Sequence, residues 1–582
     1  VLLLAVVPLV LASVACTATL EGPEAGAGAS GGTGSGGTSG SKATGGTGGG
    51  NVGQGGSGTG GSSSGGSTSG SAGDGGSGAT PAARPVAMDG VPLYSRFLRL
   101  TNDQWENSVR DILRLTAPTG LSDGFLHAVS GTTDFENNER VVIVNDTIWS
   151  DFQLAAETVA KQVTATDAAL QAVVATSDAA TFISTFGRRA FRRDLTPAEV
   201  TTYTNLYDVG SGLSGTQSAF TKGARLVITG MLQSPHFLYR IELGDDGAPL
   251  SGYEMAAKLS LWLNDTAPSD ALLDAAKAGK LDAASGAVAE AGTMLESAAA
   301  LPVMRKFHAE LYKLALFDTI TKDNVAGYSE GLKAEFTQAA TSFFDYVYEK
   351  DLGVRDILTT NVAFAGPLTA ALYGVSVTGS AVQQVNLPDR AGWYSQAPFL
   401  TLWAVNNDPD SIHRGVRINL DTLCADPGLP ELNLPPVPAI KEGQTNRERY
   451  SALTETCGRE CHGLYINPVG FAFENYDGVG RFRETDHDQP VDTTGKYAFA
   501  EGYLSFSGAP ELMQLVASGV QAHQCWAKKM ASYALARDMV DAERPLVEAL
   551  GQVSRDTGGT LKQVMLALVQ NDAFRTHVGG AK

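Results

Sequence analysis

The chain is 582 residues long and carries 62 acidic against 43 basic side chains, a net charge of −19. That excess argues against nucleic acid or an anionic membrane surface as a binding partner. Glycine is frequent, at 67 residues, and much of it sits in one N-terminal stretch with almost nothing apolar to bury.

Residues 1–16, VLLLAVVPLVLASVAC, are almost wholly apolar and end in small residues before Cys16. A mature membrane-spanning helix takes about 20 apolar residues, so this shorter run reads as a secretory signal. The Ser13-Val14-Ala15-Cys16 ending resembles the lipobox of bacterial lipoproteins, which implies lipidation at Cys16, although no Lys or Arg precedes the run. An ordinary signal peptide with an incidental cysteine is the alternative. Residues 17–85 are rich in Gly, Ser, Thr and Ala, and predict a disordered tether with a reach of about 45 Å. Together these segments predict an exported lipoprotein of the cell envelope, on the outer membrane and facing the periplasm or the surface, whose contact with the membrane is its lipid.

The roughly 500 residues that follow have globular composition, enough for two to four cores. Three segments open with the same helix-start signal. LTNDQW places Thr101 as N-cap with Gln104 three residues on, LTPAEV pairs Thr196 with Glu199, and LSGYEM pairs Ser251 with Glu254. Apolar side chains recur at helical spacing behind each start, and again over 178–193, 333–349, 510–519, 525–537 and 560–571. The best candidate for a small hairpin is 374–386, GVSVTGSAVQQVN. The prediction is a mostly α fold in several helical modules, over 90–165, 175–245, 248–375, 388–498 and 500–578. Within 388–498 a proline cluster from Pro427 to Pro438 forces an extended connector that delivers the chain to the residues of greatest chemical interest.

Those residues are Cys457-Gly-Arg-Glu-Cys461-His462, one residue longer than the C-x-x-C-H of c-type haem attachment. Cysteines four apart on a helical turn still share a face, and His462 keeps its place after the second one. Pro468 lies where its carbonyl could orient the imidazole, and Tyr465, Ile466, Val469, Phe471 and Phe473 offer an apolar wall. A Cys457–Cys461 disulfide, a zinc site completed by His487 or Asp477, or unused thiols are the alternatives. Met513 is a candidate sixth iron ligand, although its segment reads equally as an amphipathic helix with a core methionine. Met530, Met539 and His523 follow it, and an open iron is the other reading.

Other charged groups have structural readings beside functional ones. Arg188, Arg189, Arg192 and Arg193 suit either haem propionates or interdomain ion pairs. Asp486, Asp488 and Asp492 suit calcium or a solvated loop. Glu474 and Asp477 suit acid–base work or pairing with Arg481 and Arg483. His236 and His413 read as structural.

The combination of FGRRAFRRDLTPAE, LQSPHFLYRIE, LSLWLNDTAPSDALLDAA, RAGWYSQAPFL…HRG and CHGLYINPVGFAFENYDGVGRFR resembles the planctomycete-type cytochrome-c-like proteins, large secreted proteins assembled from domains of unknown function. The resemblance covers about 93–575. It implies a cytochrome-c-like part in 388–498 with one haem c on Cys457, Cys461 and His462, His462 being the iron ligand. It also implies a disulfide between Cys424 and Cys525, with two separate buried thiols as the alternative. The expected function is extracytoplasmic redox chemistry, either electron transfer to a redox partner or oxidation of a substrate by a haem-dependent oxidoreductase. A protein that binds a surface polysaccharide or other polymer, stapled by its cysteines, is the second reading.

Overall fold

The structure, a computed structural model, describes residues 97–127, 133–245, 247–428, 437–455, 459–556 and 558–577, the side chains of 459 and 460 excepted. Cys16, the tether and Cys457 lie outside the described residues. The described chain is dominantly helical, with five two-stranded antiparallel sheets.

The three helix starts form as their local chemistry dictates. Thr101, Thr196 and Ser251 each accept a hydrogen bond from the backbone N–H three residues on, while Gln104, Glu199 and Glu254 bond back to the cap N–H. The same reciprocal pairs occur at Thr445 with Glu448 and Thr560 with Gln563. The helix Arg544–Arg555, which the sequence reading passed over, begins with a proline in its first turn and buries Leu546, Val547 and Leu550.

The expected hairpin at 374–386 is not a unit. Only Gln383–Asn386 is a strand, and it pairs with Val362–Ala365, with Val362 opposite Asn386. Gly366 and Pro367 start a helix, Pro367–Tyr373, which Gly374 closes in a left-handed conformation at φ 68°. The true partner strand therefore lies on the far side of a helix, and alternation alone cannot reveal it.

Buried apolar side chains form two large clusters. One gathers Trp105, Phe152, Phe182 and Phe237, together with their neighbours. The other runs continuously from Leu250 to Phe574. Residues 133–142 pack against the larger one, of which Phe135 is a member. Phe135 from this stretch stacks on Phe307 at 5.3 Å and meets Tyr533 edge-on at 5.1 Å. Asn138 and Arg140 reach Asp538 at 2.9 Å each. The C-terminal end folds back similarly, Leu250 N–H donating to the Arg575 carbonyl and His577 N–H to that of Ala248, both at 2.8 Å.

A disulfide joins Cys424 to Cys525 across 101 residues, with Cα atoms 5.3 Å apart and both side chains buried. It anchors the chain just after the helix Ser411–Asp421 to Val520–Leu535. By the chain-entropy argument a loop of this length contributes about 4–5 kcal/mol. Replacing both cysteines by alanine is therefore expected to lower stability by about 2–5 kcal/mol, read as the shift in a urea unfolding midpoint.

His308 is fully buried on the helix Ala300–Leu311, stacked on Phe344 at 4.6 Å, with Nδ1 donating to the Met304 carbonyl at 2.9 Å. Its Nε2 has no partner among the described residues, and burial pushes its pKa down to about 3. Below the ordinary imidazole value near 6.5 the unfolded chain takes up a proton that the folded chain refuses, so stability falls as pH drops from about 6.5 toward about 3. His308→Phe, which keeps the stack, is expected to remove about 3 kcal/mol of the acid destabilisation seen by pH 4, measured as unfolding free energy against pH.

Candidate functional site

The cysteine–histidine segment is held in place by a guanidinium. Arg414, on Ser411–Asp421, is fully buried. It donates to five carbonyl oxygens: Trp403 at 3.0 Å, Leu400 at 2.9 Å, and Phe473, Tyr476 and Asp477 at 3.1 Å. Every N–H of the fork is used, so the last three carbonyls close a loop that no regular helix could satisfy. Burial lowers its pKa to about 10, which still leaves the group charged at neutral pH.

The same helix meets the segment after His462 backbone to backbone. A Cβ on Gly415 would lie 2.1 Å from the Ile466 carbonyl, and one on Gly470 would lie 1.8 Å from that of Ser411. Only glycine permits this crossing. Asn419 adds a hydrogen bond from Nδ2 to the Tyr465 carbonyl at 3.1 Å.

A second buried network fixes the neighbouring helix, Asn446–Thr454. Glu474 accepts from Ser411, from Asn446 Nδ2 at 2.9 Å and from Arg483 at 3.0 Å, and burial raises its pKa. Arg483 continues to Asp486, which also accepts from the Asn446 N–H and bonds His487 at 2.8 Å.

Between these anchors, Arg459–Ile466 is a π-helix that runs into the helix Asn467–Phe471. Cys461 is an exposed, free thiol and His462 is half-buried. The imidazole Nδ1 bonds Asn467 Oδ1 at 3.1 Å. This corrects the expectation for Pro468. In an α-helix, residues five apart point about 140° away from each other, whereas the wider π-turn brings them together. Asn467 therefore reaches the ring, and the Pro468 carbonyl faces Gly495.

Beside this segment opens a cleft of 1280 Å³, walled by Gly463–Phe471 on one side, by Asn446–Thr454, and by the hairpin of Thr494–Phe499 and Gly502–Ser507. Phe471, Tyr503, Phe506 and Pro468 give it apolar surface, with Arg447, Lys496, Glu455 and Glu511 as charged members. Arg447 lies 4.8 Å from the Phe471 ring and donates to the Thr494 carbonyl at 2.8 Å, which ties helix to hairpin. Of the cysteine–histidine segment, Gly463 lines this mixed polar and aromatic cleft, with Cys461 and His462 just before it in the chain. The free thiol, the imidazole whose Nε2 has no hydrogen-bond partner among the described residues, and the aromatic rings of the cleft are the groups that a haem would use.

Met513 does not join them. It is fully buried in the core on the apolar face of Gly508–Ser518, with Leu512, Val516 and Ala517, and does not line the cleft. Met530, Met539 and His523 are likewise buried, His523 bonding Ser554 and the Ala517 carbonyl. Ile466, Val469 and Phe473 are core residues, and Tyr465 packs edge-on to Tyr497.

The other charged candidates are engaged elsewhere. Asp477 accepts from Arg481 at 2.8 Å and from two backbone N–H groups. Asp492 pairs with Arg447. Among the described residues no cluster of three or more His, Cys, Asp or Glu is arranged to hold a metal ion. Arg188 and Arg189 bind Asp274 and Asp270 across the segment boundary, Arg193 binds Glu199, and Arg192 is buried on carbonyl oxygens. His236 faces Glu199 at 3.4 Å, and His413 bonds Asp410 at 2.6 Å while stacking on Trp403. Thr454 and Asn467 are the site residues that the sequence reading missed, because the Asn467-Pro468 pair was read for its proline.

The fold and site define a helical scaffold that presents a cysteine–histidine segment on a cleft. Five family models, each described as a protein of unknown function, match in order: DUF1587 over 98–165, DUF1595 over 178–242, DUF1592 over 250–375, DUF1588 over 390–486 and DUF1585 over 504–574. The model matching 390–486 carries the name PSCyt3. The chain belongs to the planctomycete-type cytochrome-c-like multi-domain proteins. No curated protein and no solved structure matches it. Among the described residues, no helix is long and apolar enough to cross a membrane.

Arg414→Lys is expected to leave at least two buried carbonyls without a donor, since an ammonium has three N–H groups. At about 1–3 kcal/mol per unsatisfied group, the loss should be roughly 2–6 kcal/mol in urea unfolding.

Proposed function

We propose that this chain is an envelope-exported redox protein carrying one haem c on Cys457, Cys461 and His462, tethered through a lipid on Cys16. The observation that supports it best is His462, which uses only Nδ1 for its Asn467 partner and directly follows the free thiol of Cys461, one residue before Gly463 of the cleft wall. A bound haem would supply one-electron chemistry there. His462 would bind the iron through Nε2 while Asn467 holds the ring's orientation. Phe471, Tyr503 and Phe506 give the cleft wall aromatic surface, and Lys496 offers a cation to a carboxylate there, while Arg447 is tied to Asp492 and the hairpin. The partner is an electron donor or acceptor in the same envelope, or a substrate oxidised at the cleft.

A second reading, a binder of polysaccharide or another polymer, draws on the hydroxyl groups of Ser451, Thr494, Ser505 and Ser507, which line the same cleft beside its aromatic rings.

The full chain, produced in a host with c-type maturation, is expected to show a Soret band that survives denaturation and a pyridine haemochrome spectrum. Both should be lost when Cys457 and Cys461 become alanine. A folded but colourless protein sinks the redox reading and leaves polymer binding in its place.

A further inference from the structure

The acceptor under His462 is itself oriented, and that decides which ring nitrogen carries the proton. Thr454 Oγ1 lies 2.8 Å from the Tyr450 carbonyl. A carbonyl cannot donate, so the hydroxyl hydrogen is committed there, and Oγ1 has only lone pairs to offer Asn467 at 2.7 Å. Asn467 must therefore turn its NH₂ toward Thr454, which leaves Oδ1 facing the imidazole at 3.1 Å. An amide oxygen only accepts. The neutral ring must then hold its proton on Nδ1.

We infer that Thr454 and Asn467 form a relay that locks His462 in the Nδ1–H tautomer, leaving Nε2 as the ring nitrogen with the free lone pair. Thr454 and Asn467 are buried, so water competes poorly for these bonds. Both also line the cleft beside Gly463. The relay depends on the π-helix Arg459–Ile466, because the five-residue step from His462 to Asn467 closes only on the wide turn. Thr454 and Asn467 are positioning residues, acting through His462 alone. The inference rests on the haem reading only for what Nε2 binds.

The test is ¹⁵N NMR of histidine-labelled full chain made without haem, at about pH 8.5, where an ordinary imidazole is neutral. Loss of one signal set in His462→Gln assigns the residue. The wild type is expected to show Nδ1 as the protonated nitrogen, by more than about tenfold over the other tautomer, a preference of roughly 1.4 kcal/mol or more. Asn467→Leu should abolish that preference and Asn467→Asp should keep it, with the signals of the other histidines unmoved in both. Thr454→Val, which frees the amide to turn over, should weaken the preference. A wild type dominated by Nε2–H, or an Asn467→Leu variant that retains Nδ1–H, overturns the relay. A colourless matured protein with Nδ1–H intact supports the relay and overturns only the haem.

Discussion

The Arg414 guanidinium is the interaction on which the site depends. Its five donors gather the carbonyls of Leu400, Trp403, Phe473, Tyr476 and Asp477, which come from two stretches of chain about 70 residues apart. An irregular loop can be buried only if its carbonyls find donors, and a side chain with five N–H groups in a rigid fork suits that task better than any other. Once 473–477 is pinned, Gly470 and Gly415 can press together and the π-helix before them has a fixed end. The arginine of the HRG segment thus serves the cysteine–histidine segment through the carbonyls of 473–477, while its glycine meets the end of the π-helix at Ile466.

A buried charge of this kind is costly unless every contact is made. The neighbouring network of Glu474, Asn446, Arg483 and Asp486 meets the same condition, each carboxylate accepting from more than one donor. Both networks concentrate in the part of the chain that carries the cleft. Elsewhere, apolar packing around Trp105 or Phe336 is joined by smaller buried polar groups, Arg192 on its carbonyls and Glu242 between Arg240 and Lys258. Rigidity near 446–487 is therefore bought with polar bonds, as a site that must hold a ring to a fixed direction requires.

The family segments do not each enclose a core of their own. Residues from Leu250 to Phe574 share one hydrophobic cluster, and the disulfide between Cys424 and Cys525 lies inside the same body. The cytochrome-like segment is thereby built into a larger scaffold, in contrast to a free-standing cytochrome joined by linkers. Gln104 and Asn107, donating to the Leu261 and Asp265 carbonyls, carry that scaffold's contacts into the first N-terminal helix, and Phe135 packs into its core.

What the sequence determined by itself is local. Capping boxes at Thr101, Thr196 and Ser251 act over three residues, so the helices behind them are legible without any partner. The helical class was legible for similar reasons, with the resemblance adding the Cys424–Cys525 pairing. Tertiary structure decided everything that depends on distant chain. It paired Gln383–Asn386 with a strand beyond an intervening helix, buried Met513 away from the cleft and gave Arg414 its five carbonyls. It also chose Asn467 over Pro468 beneath His462, because a π-turn and the hydroxyl of Thr454, 13 residues back, together set which group meets the ring. Periodicity records how a residue sits in its own helix, whereas the partner of a buried polar atom is fixed only when the chain closes around it.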